Sequence, residues 1–310
     1  MIRNDFCEVS MSVYSIKDLE HLSGIKAHTI RIWEQRYELF SPQRTATNIR
    51  FYSEEDLKLV LNISTLRNHG LKISKIVEMS STEMLDKVSE LTLHSKSYED
   101  QIYALTKSMV DMDEAIFTET LNQNVDKYGF EKSMMEIIYP FMNKIGILWL
   151  TNAINPAQEH FISHLVRQKI IAATDDIIPN PADPLFFLFL PEGELHELGL
   201  LFANYMLRSR GVRTIFFGQT VPLNALEEAY HKLSPSHILT SLTTKPDPAD
   251  VQTYVNSLGQ KFKNAQVLIT GGRVVGQDIE IGEKMKIIVN FLELEDIIEN
   301  ARLGTSTVDK

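Results

Sequence analysis

A chain of 310 residues has room for two or three domains. Its 44% apolar and 23% charged residues, with 14 Gly and 11 Pro, exclude a collagen-like or wholly disordered chain. The net charge of −10 is unevenly spread: residues 1–80 carry +1 and the remainder −11. One cysteine, Cys7, excludes an internal disulfide framework and a Cys-based zinc finger. No apolar run approaches 18 residues, so no membrane span is expected. MIRNDFCEVSMSVYS lacks a basic region followed by an apolar core, so no signal peptide is expected and a cytoplasmic location is the default.

Ser15 with Asp18 three residues later forms a capping box, which predicts a helix from Ile16 to Ser23. Gly24 interrupts it, and a second helix is predicted from Ala27 to Arg36. Helix, Gly-containing turn, helix is the helix-turn-helix pattern. The polar stretch Ser41–Arg50 contains Pro42 and Asn48 and predicts a short β-type excursion. Ser53 and Asp56 form a second capping box, starting a helix that His69-Gly70 ends near Asn68. A short helix, Ser74–Met79, follows, and residues 81–96 read as a helical connector. Helical spacing over 98–109, 111–127, 130–149 and 156–176 predicts a four-helix bundle. Pro179, Pro181 and Pro184 punctuate a linker.

The pattern changes at Leu185. Leu185–Leu190 is continuously apolar, as a strand buried on both faces should be. A helix at 197–209, a strand at 213–217, a helix at 222–232, a strand at 236–241 and a helix at 248–260 are predicted next. Strands at 265–270 and 286–290 and a helix at 293–301 complete the series. Strands alternating with helices predict a doubly wound, flavodoxin-like five-stranded parallel sheet, with ligand beyond the carboxyl ends of its strands. The expected domains are 11–80, 97–178 and 184–304, with a disordered tail from Thr305.

Residues 21–52 carry five basic side chains (Lys26, Arg31, Arg36, Arg44, Arg50) against Glu34 and Glu38. A local basic patch of this kind governs nucleic-acid affinity more than net charge does. Arg31, Glu34, Gln35 and Arg36 lie on the second helix with Trp33 and Tyr37 interleaved, and such a helix can enter a major groove. Composition alone favours a solvated amphipathic helix and a polar loop. The sequence YSIKDLEHLSGIKAHTIRIWEQRY, continuing FSPQRTATNIRFYSEEDLKLV, resembles the winged-helix domain of MerR-family transcription regulators. The matching elements are the opening Tyr-Ser-Ile, the Gly-Ile turn, the Thr-Ile-Arg-x-Trp-Glu recognition helix and the Asn-x-Arg-x-Tyr wing. The resemblance implies binding to double-stranded operator DNA through Thr29, Arg31, Trp33, Arg36, Tyr37, Arg44, Asn48, Arg50 and Tyr52, with Trp33 facing either DNA or the core. Many such regulators sense metals through thiolates, but Cys7 has no partner cysteine. Residues 81–96 are too short for an extended coiled coil, so a homo-oligomer, dimer or tetramer, is expected to assemble through the C-terminal half.

At the end of the first strand of the α/β region the chain reads Pro191-Glu-Gly-Glu194-Leu-His196-Glu-Leu-Gly199. Neutral imidazole can ligate a transition metal while Glu194 holds its other nitrogen. In isolation His196 reads as a surface histidine between acids. Glu-x-His-x-x-Gly resembles the Asp-x-His-x-x-Gly motif of cobalamin-binding domains, with Glu194 in place of Asp. Thr240-Ser241-Leu242-Thr243-Thr244 resembles their Ser-x-Leu/Ser-x-Thr segment, and Ile269-Thr270-Gly271-Gly272 their paired glycines. The resemblance implies that His196 takes cobalt from below and that the displaced nucleotide tail lies beside Gly199, Ser241, Leu242, Thr243, Gly271 and Gly272.

Trp149, nine further residues and then Glu159-His160 resemble the helical cap of the CarH/LitR family of light-responsive cobalamin repressors. In that family Trp, Glu and His surround the adenosyl group of adenosylcobalamin. His160 and His164 also stand one helical turn apart, with no third metal ligand evident. Light-sensing members carry a His directly after the Trp, where this chain has Leu150. The expectation is a non-enzymatic transcription regulator whose oligomeric state and operator binding depend on adenosylcobalamin. A cobalamin-level sensor without a light step, a corrinoid enzyme partner fused to a DNA-binding domain, and a sensor that binds no cobalamin are the alternatives.

Overall fold

A computed structural model describes residues 14–44, 48, 50–94, 98–150, 155–178 and 184–305, excluding the side chains of 89, 90, 92–94, 147–150 and 303–305. Cys7, Pro179, Pro181 and the tail after Thr305 lie outside the described residues. The chain divides into two compact units, residues 1–165 and 166–310.

In the first unit, α1 (Ile16–Ser23) starts in the expected capping box. Asp18 N–H donates to Ser15 Oγ at 3.3 Å, and Ser15 N–H donates to the Asp18 carboxylate at 2.7 Å. Gly24, at φ +72°, stops it in the left-handed conformation that glycine adopts without strain. The next helix, α2 (Ala27–Tyr37), has no side-chain cap of its own; Glu20 of α1 reaches across and accepts the Ala27 N–H at 3.0 Å. A two-stranded antiparallel wing follows, β1 (Gln43–Arg44) and β2 (Arg50–Phe51). Then come α3 (Glu54–Asn68), capped by Ser53 and Asp56, and α4 (Ile73–Ile76). Leu19, Leu22, Ile30, Trp33, Leu57, Val60 and Leu61 are buried in this head.

Residues 81–94 are more than a connector. They form α5 (Ser81–His94), which buries Met84 and Val88 and packs on α3 and on α6 (Tyr98–Asp111). Ser80 and Glu83 cap it reciprocally, at 2.8 and 3.3 Å. Asp113 caps α7 (Glu114–Tyr128). The expected single helix 130–149 is instead α8 (Phe130–Ser133), a π-helical turn (Met134–Ile138) and α9 (Tyr139–Leu150). Pro140 accounts for the break, because it has no N–H to donate and its ring crowds the preceding turn. Helix α10 (Pro156–Asp175) runs across the division between the units, and Gln158 ties its start to the Val110 carbonyl of α6 at 3.2 Å.

The head is joined to these helices at the turn between α1 and α2. The Tyr103 hydroxyl of α6 donates to the Ser23 carbonyl at 2.7 Å. Ser64 Oγ of α3 donates to the same oxygen at 2.6 Å. Lys144 of α9 lies over the Tyr103 ring at 5.1 Å, and Lys58 of α3 pairs with Asp111 of α6 at 2.6 Å.

The second unit is a five-stranded parallel sheet of β3 (Leu185–Pro191), β4 (Arg213–Val221), β5 (His237–Ser241), β6 (Gln266–Thr270) and β7 (Met285–Ile287), in the order β4-β3-β5-β6-β7. This is the flavodoxin-like order, 2-1-3-4-5. Helices α11 (Leu198–Ser209) and α14 (Phe291–Thr305) pack together, Phe202 meeting Phe291 edge to face. Helices α12 (Leu226–Leu233) and α13 (Val251–Lys261) cover the other face, against Phe187, Phe189, Ile238, Val267 and Ile269. Every residue of β3 is buried, which explains its unbroken apolar run. Chain order reverses across β3, whose neighbours are β4 and β5, and a crevice opens at the carboxyl ends of such strands.

Candidate functional site

Two surfaces carry the chemistry-bearing residues. On α2, His28, Arg31, Ile32 and Gln35 are exposed at i, i+3, i+4 and i+7, which is one continuous stripe. Arg36 is exposed beside it, with its guanidinium 5.3 Å from the half-buried Tyr37 ring. Thr29 is half-buried. On the wing, exposed Arg44 donates to the Asn48 side-chain oxygen at 2.8 Å, and Asn48 takes a left-handed φ of +65°. Arg50 is half-buried, its Nε donating to Glu34 at 3.1 Å.

Two of the expected DNA-facing residues are in the core. Trp33 is 4% exposed under the Arg67 guanidinium, and Tyr52 is 0% exposed. Tyr52 exchanges backbone hydrogen bonds with Tyr14 at 2.8 and 2.9 Å and donates its hydroxyl to Glu34 at 3.2 Å. Aromatic rings committed to packing in this way support the reading surface from beneath and cannot also face DNA.

The second surface lies past the carboxyl end of β3. Glu194 is completely buried and works as an acceptor hub. Its Oε1 accepts the N–H groups of Leu195 and His196, both at 3.0 Å, and the Nδ1–H of His196 at 2.6 Å. Its Oε2 accepts three consecutive N–H groups beyond β5, those of Thr243 (3.1 Å), Thr244 (2.6 Å) and Lys245 (2.9 Å). Burial pushes the carboxyl pKa up, but the N–H groups of Thr244, Lys245 and His196 and the His196 ring outweigh it and hold the pKa at about 2. A carboxylate can only accept, so Nδ1 carries a proton, and in the neutral imidazole the lone pair lies on Nε2. The His196 side chain is 59% exposed, leaving Nε2 as a donor atom available to a metal.

Beside it the backbones close up. A Cβ on Gly271, at φ +102°, would lie 2.5 Å from the Leu242 carbonyl oxygen, so only glycine lets the β5 and β6 ends meet. On Gly272 it would lie 3.9 Å from the Thr243 carbonyl, and on Gly199 nothing lies within 4 Å. Gly199, Ser241 and Thr270 line a cavity of about 100 Å³ whose far wall is Ile288–Phe291 and Leu294. The side chain of Leu242 belongs to the core on the α12–α13 face, so it contributes backbone here. Ser241 Oγ lies 3.2 Å from Thr243 Oγ1. A histidine nitrogen open to a metal, a cavity with Gly199, Ser241 and Thr270 on one side and Ile288, Phe291 and Leu294 on the other, and apolar Leu195 and Val289 exposed nearby suit a partly apolar metallocofactor.

Residues 14–83 match the MerR HTH family of regulatory proteins, and residues 101–173 match the B12 binding domain. The chain is a transcription regulator with a MerR-type head and a B12-binding domain. It is 25% identical over 285 residues to the HTH-type transcriptional repressor CarH of Myxococcus xanthus, covering 89% of this chain and 94% of that one. Against the transcriptional repressor CarA of the same organism it is 27% identical over 237 residues, 76% and 78% of the two chains. A monomethylamine corrinoid protein of Methanosarcina barkeri shares the fold, with a TM-score of 0.53 at 17% identity over 66% of this chain and 100% of that one.

In the B12-binding match, Trp149 and Leu150 are the last residues of α9, with side chains outside the described set. Glu159 is half-buried and His160 exposed in the first turn of α10, 3.2 Å apart, and the His164 ring is 6.4 Å from that of His160. Among the described residues no group of three or more His, Cys, Asp or Glu could hold a metal ion, and no helix is long and apolar enough to cross a membrane. Sequence reading did not single out His28 and Ile32, which share the exposed stripe of Arg31 and Gln35. It named Thr244 only within a hydroxyl-rich segment and did not foresee the contact of Glu194 with the Thr243–Lys245 backbone, because N–H groups carry no sequence signature.

Proposed function

We propose that this regulator binds adenosylcobalamin, and that the bound cofactor sets its oligomeric state and thereby its grip on operator DNA. The observation that carries this reading is the His196–Glu194 pair, with Nδ1–H fixed on a buried carboxylate and Nε2 free. His196 would hold the cobalt through Nε2, and Gly199, Ser241, Leu242, Thr243, Gly271 and Gly272 would border the nucleotide tail. Trp149, Glu159 and His160 would hold the adenosyl group, as the family resemblance implies. Bound adenosylcobalamin supplies a cobalt–carbon bond that light can cleave. The protein supplies the rest through linkage: a ligand that prefers one oligomeric arrangement shifts the population toward it by that difference in affinity. Arg31 and Arg36 on α2 and Arg44, Asn48 and Arg50 on the wing form the DNA-facing set, with Thr29 and Tyr37 at its border. The chain works in the cytoplasm as a homo-oligomer and catalyses no reaction of its own. Leu150 has no donor atom, which favours a light state without a lasting second protein ligand, or a sensor of cobalamin level with no light step.

Absorbance after adding adenosylcobalamin tests the reading. The wild type should bind it base-off, and His196→Ala should lose it on gel filtration. Arg31→Ala should keep the cofactor and weaken operator binding by about 1–3 kcal/mol. Normal retention by His196→Ala, or a base-on spectrum in the wild type, would remove His196 from the role. Dark and illuminated size-exclusion profiles then separate a light receptor from a cobalamin-level sensor.

A further inference from the structure

An acidic side chain on the DNA-reading helix needs an explanation. Residues 21–52 hold five cations and two acids, and one of those acids, Glu34, lies on α2 beside the exposed stripe. A carboxylate near a polyanion weakens binding unless it does something in return. Glu34 is directed toward the wing. Its Oε1 accepts Arg50 Nε at 3.1 Å, and its Oε2 accepts the Tyr52 hydroxyl at 3.2 Å. The two carboxylate oxygens therefore hold two alternate residues of the returning wing strand. Its side chain is 15% exposed, against 30% for Arg50.

Among the described residues the wing's own pairing is short. Its strands are two residues each, paired through Gln43↔Phe51 and Arg44↔Arg50. So short a ribbon is marginal by itself. Tyr52 is anchored, by its bridge to Tyr14 and its edge-to-face contact with Phe40. Glu34 extends that anchor to Arg50. The guanidinium is planar, so a bond to Nε fixes the plane and the direction of both terminal nitrogens.

We propose that Glu34 is a positioning residue: it makes no DNA contact but clamps the wing to α2 and aims the Arg50 guanidinium at DNA. This rests on the DNA-facing set proposed above. It makes a counter-intuitive claim, that removing a negative charge from a DNA-binding surface lowers specific affinity.

The test uses the full chain, a duplex that the wild type selects from a randomised pool, and a scrambled duplex of equal length. Glu34→Gln should weaken binding to the selected duplex about tenfold while leaving the scrambled duplex unchanged or bound more tightly. In an Arg50→Ala background the same substitution should have almost no further effect, which is the double-mutant signature of a shared interaction. Equal losses with and without Arg50, or tighter binding to both duplexes, would overturn the proposal. So would a loss confined to one C·G pair that persists without Arg50, since that marks Glu34 as a direct base reader. Arg50→Lys keeps the charge and Glu34 but loses the planar fork, and it covers the case in which Glu34→Gln unfolds the head. It should bind the selected duplex as poorly as Arg50→Ala, and wild-type binding by Arg50→Lys refutes the clamp. Arg31→Ala separates the two readings: if it binds as well as wild type, the helix face is misassigned, while the cycle still judges the clamp.

Discussion

Glu194→Gln perturbs the candidate cofactor site at its centre, and the structure gives the magnitude. The carboxyl pKa falls from its ordinary 4.5 to about 2. That difference measures how much more strongly the surroundings hold the charged form than the neutral one, about 3 kcal/mol at 1.36 kcal/mol per unit. Glutamine has the shape of the neutral carboxyl, so it forfeits the same preference. It also turns an NH2 group toward donors. One amide oxygen can serve the Leu195–His196 N–H groups or the Thr243–Lys245 N–H groups, which the carboxylate now serves together. Whichever set loses its acceptor is left without the partner it had. The expected result is a loss of about 3 kcal/mol in the α/β unit. Hydrogen exchange read segment by segment should show the amides of Thr243, Thr244 and Lys245 exchanging roughly a hundredfold faster. Cobalamin retention should fall as well, because the amide oxygen left facing His196 Nδ1–H is a weaker acceptor than the carboxylate it replaces. Glu194→Asp keeps the charge and shortens the arm by about 1.5 Å, so it should fall between wild type and glutamine. A loss below about 0.5 kcal/mol in Glu194→Gln with unchanged exchange would mean that water satisfies these donors and that the carboxylate is not their anchor.

Tyr103→Phe removes the hydroxyl that meets the Ser23 carbonyl, at an expected cost of about 1 kcal/mol. Because a Cβ on Gly24 would sit 3.2 Å from that hydroxyl, Gly24→Ala should be less damaging in the Phe background; additive thermal shifts would deny the contact. His237 is pushed down to about 4 from 6.5 by burial, which the Gln266 hydrogen bond offsets in part, and its ring stacks on Phe186 at 4.2 Å. The native state holds this histidine neutral, so its influence is absent above pH 6.5, and stability falls by about 2–3 kcal/mol as the pH drops from 6.5 to 4. Urea titrations across that range should show the slope in wild type and a flatter one in His237→Gln. Leu150→His places an imidazole directly after Trp149. With adenosylcobalamin and light it should give a bis-imidazole spectrum and a more persistent response, and the same spectrum in illuminated wild type would show that another residue already fills the role.

Much of the fold is written in local chemistry. The capping boxes at Ser15 and Ser53 fix the starts of α1 and α3, and the run Leu185–Leu190 announces a strand covered on both faces. The π-helical turn before Pro140 and the packing of α5 on α3 were less legible, because each depends on how a helix fits its neighbours. The sites divide along the same line. His196 was legible because its spacing to Glu194 and Gly199 is local. The reason for a glutamate at 194 was not, since its partners are backbone N–H groups 49 to 51 residues further on. Trp33 and Tyr52 share a motif with the residues proposed to face DNA, and a motif does not say which side of a helix or strand its aromatics occupy. Burial decides that, and it turns on contacts such as Tyr14 with Tyr52 that join distant parts of the chain. Glu34 shows the consequence for function. In the sequence it is an acid among cations, counted against DNA binding. In the fold it is the residue through which an anchored tyrosine and a wing arginine are held to the reading helix. A charge tally over residues 21–52 therefore finds the basic patch, while the pairing within it separates Arg50, held by Glu34, from the exposed Arg31 and Arg36.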